Sequence, residues 1–84
     1  MLSEKIKNLI LNELINSKVY VNTFDEIHFD IIVIDDIFIN VDLIERHRCI
    51  YNIIKNYILN KILHAVSIKT YTLDEWKEIF GNKI

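Results

Sequence analysis

Imidazole and thiol are scarce in this chain: three histidines and one cysteine among 84 residues. His64 opens the stretch "HAVSIKTYTLDEW", His28 opens "HFDIIVI", and His47 and Cys49 share "RHRCIY". A lone histidine beside an apolar strand is more often a packed or solvated imidazole than a metal ligand, so residue type alone leaves His64 open. A single cysteine excludes an internal disulfide framework and a Cys-only metal site within one chain, and it fits a reducing, cytoplasmic home. No Ser or Cys stands beside a His with an acid behind it. There is no phosphate-cradling Gly loop and no paired carboxylates in an obvious pocket, so the expectation is a non-enzymatic protein. Asp35–Asp36 reads as a solvated turn rather than a metal site. Among the basic residues, Arg48 and Lys55 share one helical flank, an edge that could touch phosphates. Asp42, Glu45 and Asp35–Asp36 lie close by and oppose it.

Composition bounds these options. The length suits one domain with one core. Hydrophobic residues make up 51% and charged residues 26%, as in a globular chain. Proline is absent and glycine occurs once, at Gly81, so Asn and Asp must serve the turns. A net charge of −2 and a pI near 5.8 supply no global field for nucleic acid. "MLSEKIKNLI" has a charged helical pattern without a signal-type apolar run, and "IIVI" is too short to span a bilayer, so no membrane association is expected.

The elements that would carry the candidate residues follow from periodicity. Ile6, Leu9, Ile10 and Leu14 recur at helical spacing after Ser3 as N-cap, predicting a helix over Ser3–Asn16. "KVYVN" and "HFDIIVI" alternate, predicting a hairpin of Lys18–Asn22 with His28–Ile34. Asp35–Asn40 is expected to form a turn or one short helical turn. Asp42 and Glu45 form a capping box for a helix reaching about Asn60, and Thr72 and Glu75 another for the final helix. Between these helices a third strand puts Val66 and Ile68 on one face. The last helix presents Leu73, Trp76 and Phe80, with Trp76 docking it to the sheet. At about 100° per residue, Leu43, His47, Tyr51, Ile54 and Ile58 fall on one stripe of the long helix. That projection makes His47 a core histidine, sets Arg46 and Arg48 on either flank, and points Cys49 outward as an exposed thiol. The order α-β-β-turn-α-β-α predicts a single α+β (α/β) domain, a three-stranded sheet covered by helices.

That order, together with "HF" at His28–Phe29, Phe38 opening the turn, "RHRCIY" at Arg46–Tyr51 and "HAVSIKTYTLDEW" at His64–Trp76, resembles the BolA-like family over most of the chain. The "HAVSIK-YT--EW" part is similar to the YrbA (IbaG) branch and "RHR-IY" to BolA itself, which leaves the branch open. Two positions depart from the pattern: Asn40 where Gly is usual, and Leu73 where Pro usually follows Thr. The resemblance implies a KH-like fold over residues 1–84. It also implies a monomer that pairs with a monothiol glutaredoxin as a heterodimer, sharing a two-iron two-sulfur cluster with it and with glutathione. The alternative role it implies is DNA-binding transcriptional regulation, for which Arg46, Arg48 and Lys55 are the candidate contacts, although the Gly-x-x-Gly loop of single-strand-binding KH domains is missing.

By the same resemblance His64 is the cluster ligand. The family's second ligand, His or Cys, lies in the loop between the first two strands, where this chain has "NTFDEI". Asp25 stands nearest that place, but a carboxylate is a poor partner for such a cluster. His28 is the nearest softer alternative. Either His28 turns toward His64, or one protein residue holds the cluster and the site is labile. The labile arrangement is preferred, because strand pairing would fix the direction of His28.

Overall fold

The computed structural model describes residues 2–59 and 65–81. The elements are α1 (Leu2–Glu13), β1 (Lys18–Asn22), β2 (His28–Ile34), a short 3₁₀ turn (Asp36–Phe38), α2 (Leu43–Leu59), β3 (Ala65–Tyr71) and α3 (Leu73–Phe80). They match the expected order. β1 and β2 pair antiparallel with Lys18 opposite Ile34, and β2 and β3 pair parallel with His28 opposite Ala65. The sheet order is β1-β2-β3, so β3 is an edge strand. A parallel neighbour needs a long crossover, and α2 provides it.

Alternation divides the sheet into two faces. Val19, Phe29, Ile31 and Val33 point to one side, where they join Ile6 and Ile10 of α1 and Ile50 and Ile54 of α2 in the buried core. Each such side chain contributes about 1.5–3 kcal/mol on burial, most of it offset by the entropy of ordering the chain. Trp76 brings α3 to the other face, stacking on Tyr20 with ring centroids 6.0 Å apart and meeting Tyr71 edge-on at 5.4 Å. The expected docking role of Trp76 therefore holds.

Local chemistry sets the element ends. Thr72 and Glu75 form the reciprocal capping box of α3. At α2 only half of the expected box forms. The Asp42 carboxylate accepts from the Glu45 backbone N–H at 2.9 Å, while the Glu45 side chain accepts from Arg48 at 2.7 Å. Ser3 lies within α1 rather than capping it. Asn40 has φ of 63°, a left-handed conformation that Asn tolerates better than most residues. The two aspartates of the turn are structural rather than merely solvated. Asp35 accepts from Ser17 Oγ and from Ile37 N, and Asp36 accepts from Leu73 N at 3.0 Å.

The buried face of α2 is displaced by one residue from the projected stripe. Arg46, Ile50 and Ile54 are buried, with Cys49, Ile53, Tyr57 and Ile58 partly buried beside them. Leu43, His47 and Tyr51 are exposed. His47 is thus a surface residue rather than a core histidine, and Cys49 packs half-buried against the core rather than facing solvent. Choosing the face by apolar count misplaced it. An arginine with three hydrogen bonds, to Val41 and Glu75, was better placed for burial than the neighbouring histidine.

Candidate cluster-binding site

The β1–β2 loop is a hydrogen-bonded knot built around two short polar side chains. Thr23 Oγ1 donates to the His28 carbonyl at 2.7 Å and accepts from Glu26 N at 3.0 Å. Asp25 Oδ1 accepts from Ile27 N at 3.0 Å and from His28 N at 2.9 Å. Such side-chain-to-backbone bonds stand in for a glycine turn. Glu26 takes the left-handed conformation that closes the loop, with φ of 60°. Phe24 sits at the tip and is 96% exposed.

Asp25 and His28 are joined through their side chains as well. The second Asp25 oxygen lies 2.7 Å from His28 Nδ1, and the imidazole is 60% exposed. The backbone N–H of His28, then its ring, then the backbone N–H of Ile27 hold the Asp25 carboxyl well below the usual carboxylate range. In a neutral ring, an ionised carboxylate at Nδ1 places the proton there and leaves the lone pair on Nε2. Among the described residues no hydrogen bond occupies Nε2. A carboxylate behind the ring, fixing its tautomer and direction, is the usual support of a histidine ligand.

His64 lies outside the described residues. Ala65, which follows it in the chain, is paired with His28 across the parallel β2–β3 ladder. Both oxygens of Asp25 are engaged, one by the Ile27 and His28 backbone N–H groups and the other by the His28 ring. The supporting role of Asp25 was missed from sequence, although its signal, an Asp three residues before a strand-opening His, was readable. Among the described residues no group of three or more His, Cys, Asp or Glu side chains could hold a metal ion by itself. Cys49 is no substitute. Burial and, to a lesser degree, the Asp35 charge push its thiol pKa up, away from the ligating thiolate.

The basic set does not assemble. Arg46 is buried, its Nε donating to the Val41 carbonyl at 2.7 Å and its two terminal nitrogens to the Glu75 carboxylate at 2.7 and 3.2 Å. Its guanidinium also lies 5.7 Å from the Phe38 ring centroid. It is therefore a tie between α2 and α3, not a phosphate contact. Arg48 is paired with Glu45 at 2.7 Å, which leaves Lys55 as the unengaged member of the trio among the described residues.

A small helix-backed sheet with an antiparallel pair and a parallel edge strand, with His28 at the start of the central strand, defines an α+β domain. Residues 5–75 match the family model described as BolA-like protein, and the chain belongs to the BolA-like family. It is 32% identical over 76 residues to the acid stress protein IbaG of Escherichia coli, covering 90% of this chain and 89% of that one. Among solved structures it is similar to a bolA protein homologue from Coxiella burnetii, with TM-score 0.73, 33% identity, and 89% and 95% of the two chains covered. The BolA domain of SufE1 from Arabidopsis thaliana matches with TM-score 0.74 and 29% identity, covering 87% and 93%.

Proposed function

We propose that this protein is a non-enzymatic partner of a monothiol glutaredoxin, with His64 and His28 as its contribution to a shared two-iron two-sulfur cluster. The supporting observation is the Asp25–His28 pair. It presents an outward imidazole, already oriented by a carboxylate, on the residue paired with Ala65. Family membership and the named relatives are compatible with this role.

The residues of this chain do three things in that reading. Thr23 and Asp25 hold the loop. Asp25 fixes the tautomer of His28 through Nδ1 and so directs Nε2 outward. The β2–β3 ladder holds Ala65, the residue after His64 in the chain, opposite His28. A cluster with imidazole in place of a thiolate has a raised reduction potential, and it binds only when the imidazole is neutral. His28 is carried beside His64 on the strength of its oriented ring, and the arrangement with one protein ligand is the outcome that the His28 variant below separates from it. The DNA-binding alternative draws no support from the surface, with Arg46 buried and Arg48 paired.

The test is anaerobic co-purification with a monothiol glutaredoxin and glutathione, read by visible absorption and circular dichroism. His64→Ala is expected to abolish the colour, and His28→Ala to reduce it clearly. Asp25→Asn should weaken cluster retention about 10–100-fold, as loss of an outer-shell partner does. A colourless mixture with no complex for the unaltered protein overturns the reading. A coloured complex insensitive to His28→Ala returns the site to one histidine.

A further inference from the structure

A second surface, at the opposite end of β3 from His28, is built to receive a chain. Two adjoining recesses of about 360 and 330 Å³ lie between the exposed side of α2 and β3, sharing His47 and Ile68. The helix side offers Leu43, 64% exposed, Ile44, 66% exposed, and Tyr51. On the strand side the second recess is lined by four consecutive residues, Ile68, Lys69, Thr70 and Tyr71. Successive strand residues point to opposite faces, so a recess touching all four lies along the strand's edge, against its backbone. That edge has no strand partner among the described residues, since β3 pairs with β2 alone. It carries a row of N–H and C=O groups open to pairing.

Two further features indicate what fits. Lys69 lines the second recess without an ion pair among the described residues, Arg48 lines the first while bonded to Glu45, and no carboxylate lines either recess. Thr70, nearly fully buried in the recess wall, has a hydroxyl with no hydrogen-bond partner among the described residues. Buried hydroxyls without partners are rare, and one beside an open strand edge is accounted for by a polar chain that completes the wall.

We infer that the β3 edge and the exposed side of α2 form a docking groove for an extended, acidic-apolar peptide segment of a partner protein, added to the sheet as a fourth strand. Main-chain pairing along 68–71 supplies the geometry. Alternate apolar side chains cover Leu43, Ile44 and Tyr51, and an acidic one meets Lys69. The groove is independent of the cluster reading. It spans the part of β3 remote from Ala65, so both ends can be engaged at once.

Two capped, fluorescein-labelled octapeptides test this, one alternating Ile with Glu and the other Ile with Lys, beside a labelled single-stranded oligothymidylate. The Ile/Glu peptide is expected to bind saturably and to shift amide resonances of residues 68–71 and of the first turns of α2. Leu43→Asp should weaken it at least tenfold with an unchanged far-ultraviolet spectrum and melting midpoint. Lys69→Glu should reverse the preference between the two peptides. Absence of saturable binding, or shifts confined to other residues, overturns the proposal. Preferential binding of the oligothymidylate at these amides gives the groove to nucleic acid instead. A concentration-dependent dimer protecting the same amides gives it to a second copy of the chain.

Discussion

At the scale of single residues, burial and hydrogen bonding sort side chains that look alike in the sequence. His28 and His47 are both exposed, yet only His28 has a carboxylate fixing its ring. Arg46 and Arg48 are two positions apart, yet one is clamped by Glu75 from another helix and the other by a neighbour in its own helix. Cys49 is half-buried and its thiol is held protonated, mainly by desolvation. A thiol-specific disulfide reagent at pH 8 should therefore modify Cys49 roughly tenfold more slowly than free cysteine, reaching the free rate in denaturant. Cys49→Ser should leave the colour of the glutaredoxin complex unchanged. A fast-reacting Cys49, or a complex bleached by the substitution, would contradict this placement.

At the scale of elements, α3 depends on its cap and its aromatic side. Eight residues are too few for a stable isolated helix, so Leu73–Phe80 needs both end satisfaction and packing. Thr72 Oγ1 accepts from Glu75 N at 3.1 Å, and Glu75 Oε1 accepts from Thr72 N at 2.8 Å. Trp76 lies 4.3 Å from the Phe80 ring centroid and reaches across the sheet to Tyr20. Thr72→Ala should cost about 1 kcal/mol. In a domain of this size that lowers the melting midpoint by roughly 4–8 °C. Thr72→Ser, which keeps the oxygen, should restore most of it. A calorimetric scan of the two variants separates the cap from any general effect of the position.

At the scale of the whole molecule, Arg46 and Glu75 tie together parts that the chain order keeps far apart: the 3₁₀ turn through Phe38, the start of α2 through Val41, and α3 through the carboxylate. The hydrogen bonds from Arg46, and then the backbone N–H of Thr72, hold the Glu75 carboxyl below its ordinary range. A depressed carboxyl contributes stability that is present above its unfolded pKa and is lost as pH falls through the folded one. Because the Glu75 side chain is 44% exposed, solvent damps the pair, and Glu75→Gln should cost about 0.5–1 kcal/mol at pH 7. The difference from the unaltered protein should shrink as the pH is lowered below about 4.3. Denaturant melts from pH 7 to pH 3 check this, and a gap that widens toward acid would refute the assignment. Arg46→Ala should cost more, about 2–3 kcal/mol, since it also strands the Val41 carbonyl and removes packing over Phe38.

Much of the fold was written in local pattern. The strands Lys18–Asn22 and His28–Ile34, the capping box at Thr72, and the element order all follow from alternation, turn-forming Asn and Asp, and capping chemistry acting over a few residues. Family motifs singled out His64 and His28. Tertiary structure alone decided three things. It selected the buried face of α2, because Glu75, the carboxylate that lets Arg46 be buried, lies on an element distant in sequence. It joined the Asp25 carboxylate to the His28 ring, because that contact depends on which atoms a folded loop brings within 2.7 Å. It also left β3 at the sheet edge beside an apolar flank of α2, because strand order comes from the crossover and not from any single segment.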